Sequence, residues 1–208
     1  MNRYRTVARD AQTEIEVKRS VFRCDIARIV DEQGARAVVE AARAANRDAR
    51  HHCSAFIWTP TGGMSRSSDD GEPSGTAGAP MLEVLRGAGL TEVVAVVTRW
   101  FGGTLLGAGG LVRAYSDAVA AGLERAGVRE RELVTEAEFS LDHGLAARVE
   151  SELRAKGLTV LDVGYAERVT LRLGVPEARW ELLEASLAEL THGSVAPERV
   201  GERWVDLG

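Results

Sequence analysis

The chain has 208 residues, 45% hydrophobic and 27% charged, with a formal net charge of −5, values ordinary for a globular protein of one large or two small domains. No apolar run reaches the roughly 18 residues of a membrane span, and the start, MNRYRTVARD, has no signal-peptide core. Cys24 and Cys53 are too few for a disulfide framework, so a cytoplasmic protein with reduced thiols and no membrane partner is expected.

The charge is uneven. Residues 1–134 carry 18 Lys+Arg against 17 Asp+Glu, whereas Thr135 onward carries 8 against 14, so the acidity belongs to the C-terminal third. Arginine outnumbers lysine 24 to 2, which suits phosphate recognition by guanidinium forks, although arginine codon usage in a GC-rich genome explains it more simply.

In chain order, Tyr4 to Ile29 reads as two short strands, one with Ile15 and Val17, the next with Val21, Cys24 and Ile26. Ala35, Val38, Val39, Ala42 and Ala45 recur at helical spacing behind Asp31, with Arg36, Arg43 and Arg47 outward. His52 to Trp58 reads as a buried strand, and Pro60 to Ala79 as a long loop, of a length that is usually functional. A short helix follows over Met81 to Leu85, with Pro80 in its first turn. The uniformly apolar run Val93 to Thr98 predicts a central strand. A helix from about Gly110 to Ala126 puts Leu111, Tyr115, Val119 and Leu123 inward and Arg113 and Asp117 outward. Past the charged stretch Arg129 to Glu132, strands are expected over Thr135 to Leu141, Leu158 to Val163, Arg168 to Val175 and Ser194 to Val205. Helices are expected over His143 to Lys156 and Pro176 to Leu190, and Gly164 with Tyr165 forms a turn. This β-α-β-β-α-β order is ferredoxin-like, so the domains are read as 1–130 and 135–208.

Two glycine-dense runs dominate the first domain: Asp69 to Pro80 (DDGEPSGTAGAP) and Arg99 to Tyr115 (RWFGGTLLGAGGLVRAY). A strand ending at Arg99, a glycine loop and a helix start place unpaired amides and a helix dipole together, which suits an anion. No Gly-Lys-Ser/Thr follows, so this is not a P-loop, and no acidic residue stands where the dinucleotide fingerprint needs one. His51, His52 and Cys53 alternate across a strand and cannot converge on zinc. No Gly-x-Ser-x-Gly elbow is present. Asp69, Asp70 and Glu72 are candidate Mg²⁺ ligands, or alternatively loop caps and partners of Arg99 and Arg113. Arg99 and Arg113 with Trp100, Phe101 and Tyr115 could bind and stack on nucleic acid.

The strings DARHHC (Asp48 to Cys53), SDDGEPSGTAG-P (Ser68 to Pro80), RWFGG (Arg99 to Gly103) and LGAGGLVRAY (Leu106 to Tyr115), with KRSVF (Lys18 to Phe22), resemble the signature of the IMPACT/YigZ family. The chain has Ala79 where members often have lysine, and Trp100 where they often have tyrosine. The resemblance implies an α+β protein: an N-terminal α/β domain like domain four of elongation factor G, then a ferredoxin-like domain like its domain five. That pairing points to RNA or the ribosome. Eukaryotic members act in translational control through a protein partner, but with an additional N-terminal domain.

The leading expectation is a non-enzymatic binding protein engaging RNA, the ribosome or a translation-associated protein. Its expected surface comprises His52, Asp69, Asp70, Glu72, Ser74, Gly75, Thr76, Arg99, Trp100, Phe101, Gly102, Gly103, Gly109, Gly110 and Arg113, with no cofactor. The alternative is a Mg²⁺-dependent enzyme acting on a phosphorylated small molecule or nucleotide, with His52 as general base.

Overall fold

A computed structural model describes residues 2–207. The chain forms an α+β fold of two compact units, Arg3–Glu130 and Arg131 onward.

The first unit contains β1 (Arg3–Val7), β2 (Ala11–Val17), β3 (Ser20–Arg28), α1 (Glu32–Ala45), β4 (His51–Trp58), β5 (Met64–Ser68), α2 (Gly78–Gly87), β6 (Val93–Trp100) and α3 (Ala108–Ala126). Its sheet runs β2-β3-β6-β4-β5, antiparallel throughout. The apolar strand β6 is central and covered on both faces, which is why it reads as a continuous hydrophobic run. Cys24, Ile26, Cys53, Ala55, Ala95 and Val97 face α2 and α3. Phe56, Val94 and Val96 face α1 through Ala35 and Ala42. Asp31 caps α1, its side chain accepting from Gly34 N at 2.7 Å. At the far side, Thr91 N donates to the Arg5 carbonyl at 3.0 Å and Thr6 Oγ1 to that of Glu92 at 3.1 Å, tying β1 to the start of β6.

Three strands, not two, fill the N-terminal stretch, because Arg3–Val7 is a separate element with Tyr4 and Val7 buried. The expected loop Pro60 to Ala79 contains β5. Its sequence MSRSS has no apolar alternation, and it pairs through its backbone as a polar edge strand beside β4. Pro80 lies in the first turn of α2, as expected.

The second unit contains most of β7 (Val128–Leu141), then α4 (His143–Ala155), β8 (Thr159–Tyr165), β9 (Val169–Val175), a short 3₁₀ turn Glu177–Arg179, α5 (Trp180–Thr191) and β10 (Glu198–Asp206). Its strands pair β10-β7-β9-β8, all antiparallel, in the ferredoxin-like order. The core is Phe139, Leu141, Val149, Leu153, Leu171, Leu173, Trp180, Leu183 and Leu187. The charged stretch Arg129 to Glu132 lies within β7, with Glu132 opposite Val205 and Arg131 opposite Asp206. Gly164 and Tyr165 are in β8, opposite Thr170 and Val169, and the turn is 166–168. β10 begins at Glu198, after Pro197, which cannot donate to a ladder. Among the described residues no helix is long and apolar enough to cross a membrane.

Candidate functional site

The antiparallel register gathers the loops. Arg99 at the end of β6 stands opposite Phe22 near the start of β3 and His51 at the start of β4, and Ser68 at the end of β5 stands opposite Ser54. The Lys18-Arg19 turn, residues 69–77 and residues 101–107 therefore leave the same end of one sheet.

The acidic run is satisfied from within. Asp69 Oδ1 accepts from Ala77 N at 3.0 Å and Gly78 N at 2.8 Å, and its Oδ2 from Gly75 N at 2.8 Å. One carboxylate thus folds the loop and supplies the cap that α2 lacks from its own N-cap, Ala77. Gly78 is required there, since a Cβ would lie 2.7 Å from Ser68 N. Burial alone would raise the Asp69 pKa, but the amides of Gly75, Gly78 and Ala77 hold it below its ordinary 3.8. Asp70 Oδ2 accepts from His52 N at 2.7 Å and Oδ1 from Arg43 Nη2 at 3.0 Å. Against the raising effect of burial, those two donors likewise depress its pKa.

Glu72 is inside. Its Oε1 receives Arg99 Nη1 at 2.6 Å and Tyr115 Oη at 2.8 Å, with the Arg99 and Glu72 side chains 7% and 3% exposed. The Arg99 guanidinium stands 5.4 Å from the Phe22 ring and 5.8 Å from that of Phe101, while Phe22 meets Tyr115 edge-on at 5.2 Å. Cys53 Sγ lies 3.0 Å from the Asp69 carbonyl and 3.3 Å from Tyr115 Oη. Burial pushes the Cys53 thiol up to about 12 and the Tyr115 phenol well above its usual range, so both stay protonated at neutral pH. A single buried network, Arg99-Glu72-Tyr115-Cys53, locks the two glycine runs together.

The outer surface differs. Lys18 and Arg19 form a two-residue turn between Val17 and Ser20 with φ of 49° and 67°. Both residues sit in the left-handed region that type I′ hairpins usually fill with Asn-Gly. Arg19 Nη2 reaches Thr104 Oγ1 at 3.3 Å. Gly102 packs so tightly that a Cβ would overlap the Arg19 carbonyl, and its N donates to Ser20 Oγ at 3.1 Å. Phe101 and Leu105 are 54% and 83% exposed. Trp100 is half-buried, its Nε1 donating to Asp48 Oδ2 at 2.8 Å under the Arg23 guanidinium. Gly103 and Gly107 have φ of 85° and 73°, and Gly107 caps α3 without a side-chain acceptor. Gly109 and Gly110 lie in the first turn of α3, and Arg113 is exposed one turn on, without an ion pair among the described residues.

The expected residues thus fall into three sets. Phe101, Gly103, Gly109, Arg113, Ser74 and Gly75 lie at the surface, with Trp100, Gly102 and Gly110 half-buried behind it. Asp69, Asp70, Glu72, Thr76 and Arg99 shape the loops; Thr76 Oγ1 donates to the Pro73 carbonyl at 2.6 Å. His52 turns its side chain to the α1 face, although its backbone holds Asp70. No group of three or more His, Cys, Asp or Glu among the described residues converges as a metal site. Asp69, Asp70 and Glu72 instead accept from the loop amides, His52 N, Arg43, Arg99 and Tyr115. Lys18 and Arg19 are surface residues that the two glycine runs did not point to. The KRSVF string contains them, but their approach to Gly102 is a tertiary fact.

Residues 18–123 match the model of the Impact N-terminal domain, and residues 139–194 match the domain of unknown function DUF1949. The IMPACT family member YvyE of Bacillus subtilis is 38% identical over 193 residues, 93% of this chain and 89% of that protein. The IMPACT family member YigZ of Escherichia coli is 37% identical over 182 residues, 86% of this chain and 89% of that protein. A crystal structure of a hypothetical protein, 34% identical, superposes with a TM-score of 0.65 over 96% of this chain and 98% of that one.

Proposed function

The chain belongs to the IMPACT family, and on that premise we propose that it is a binding protein that contacts single-stranded RNA of the translation machinery through the loop surface of its first unit, without turnover. The observation that carries this reading is the division of charge within the loops. The carboxylates of Asp69, Asp70 and Glu72 are engaged by internal donors, whereas Lys18, Arg19, Arg113 and the Phe101 ring face solvent. Carboxylates left open would repel phosphate; Asp70 and Glu72 are paired with Arg43 and Arg99, and Asp69 accepts three loop amides. The cations supply sequence-independent attraction to phosphate, and Phe101 supplies a face on which any base can stack. Two cationic residues held at positive φ in a tight turn carry a conformational cost that cationic presentation would explain.

Fluorescence anisotropy of a short labelled single-stranded RNA, titrated at several salt concentrations, tests it. Affinity should fall with salt, and Arg113→Ala should make the logarithmic salt slope shallower by about 0.7, the value of one single-strand phosphate contact. Absence of association at low salt would remove the reading.

A further inference from the structure

The segment between β6 and α3 contains two adjacent leucines whose fates differ. Leu106 packs against the core of the first unit, and so close to the start of α3 that a Cβ at Gly110 would lie 3.0 Å from its own Cβ. Leu105 faces water. At 83% it is the most exposed large hydrophobic side chain among the described residues, and it belongs to no core cluster. Its footing is fixed on both sides. Gly102 N donates to Ser20 Oγ at 3.1 Å and Arg19 Nη2 to Thr104 Oγ1 at 3.3 Å, while Leu106 holds the chain down where α3 begins.

Single exposed apolar residues are ordinary on a protein surface, whereas a cluster marks a place of contact. Phe101 and Val112, 54% and 38% exposed, lie on the same loop and in the first turns of the helix it enters, so three exposed large hydrophobics fall within residues 101–112. The charges around them have one sign. From Arg99 to Ser116 there is no Asp or Glu, and Lys18, Arg19 and Arg113 are exposed. Gly103 and Gly107, on either side of Leu105, have nothing within 4 Å of a Cβ position, so a ligand's backbone can approach the loop closely. An apolar side chain among cations, beside bare backbone, matches a ligand with an anionic exterior and an apolar interior, the chemistry of stacked bases on a phosphate chain. A planar ring such as that of Phe101 lies flat on a base. A branched aliphatic side chain has no such face, and acts on nucleic acid as a wedge between base steps.

We propose that Leu105 enters between two adjacent bases of the bound strand and parts them, so that the ligand is a stacked single strand opened at one step. The wedge presupposes RNA on this surface. A single-stranded RNA carrying 2-aminopurine between adenines, whose fluorescence stacking quenches, tests it, with the anisotropy of an end label followed in the same titration of the full chain at low salt. Saturation should raise the 2-aminopurine emission. Leu105→Ala should lose that rise at saturation, Leu105→Ile should retain it, and Val30→Ala, an exposed apolar residue beyond the far end of β3, should behave as the parent. An equal rise in Leu105→Ala, or an anisotropy change without any rise in the parent, would overturn the wedge and leave RNA binding standing. No anisotropy change would remove the RNA reading and the wedge with it.

Discussion

The Glu72→Gln substitution isolates the charge that joins the two glycine runs. Gln keeps the volume and an oxygen for Tyr115 but leaves Arg99, 93% buried as a side chain, without its counter-ion. With the nitrogen and oxygen 2.6 Å apart, the charge centres lie about 4 Å apart, and at an effective dielectric of about 20 the lost attraction is about 4 kcal/mol. That agrees with the roughly 3–5 kcal/mol found when one member of a buried pair is removed, a large share of the 5–15 kcal/mol that typically holds a domain together. The two units need not unfold together, so amide exchange of Val96 and Val97 in β6 is a suitable assay. Exchange there should accelerate between about a hundredfold and five-thousandfold. Adding Arg99→Met removes the stranded cation, and the double variant should be more stable than Glu72→Gln alone. A loss under about 1 kcal/mol, the worth of an exposed pair, would refute the reasoning.

The remaining predictions concern the same loops and their frame. Replacing Lys18 and Arg19 by Asn and Gly should stabilise the first unit by about 1–2 kcal/mol in urea unfolding, by relieving positive φ, while weakening RNA association. Because Asp69 and Asp70 titrate below 3.8 in the folded chain, their stabilisation is complete above about pH 4 and is lost as pH falls through the lower folded values. Asp69→Asn should flatten that acid limb in a pH series of urea midpoints and lower the neutral-pH stability by about 1–3 kcal/mol. Gly102→Ala should force the 101–107 loop away from Arg19, seen as loss of the Ser20 hydroxyl bond and of RNA affinity. Asp31→Ala, remote from the loops, should cost about 1 kcal/mol in thermal unfolding and leave RNA binding unchanged.

What the chain's own letters conveyed depended on whether the signal was local. Helix α1 was legible because Ala35, Val38, Val39 and Ala42 repeat behind a capping Asp31, and β6 because Val93 to Thr98 is apolar on both faces. The ferredoxin-like order was legible because its strands and helices alternate cleanly. Strand β5 was not, since MSRSS is held by backbone pairing and has no side-chain period. Nor was the Lys18-Arg19 turn, whose residues are not those that positive φ favours. The site was half legible for a related reason. Glycines and charges mark where loops meet, but burial decides their roles, and it moved Arg99 and Glu72 from the expected surface into the core. His52 could be assigned to the opposite strand face from Cys53 by alternation, whereas its burial beside α1 needs the tertiary fold.

The most direct test of the central claim is an NMR titration of the isotopically labelled full chain with a short single-stranded RNA. Shifted amides should cluster at residues 18–20, 101–107 and the first turns of α3 through Arg113, with β5 and the second unit silent. Shifts confined to other surfaces, or none at low salt, would contradict it.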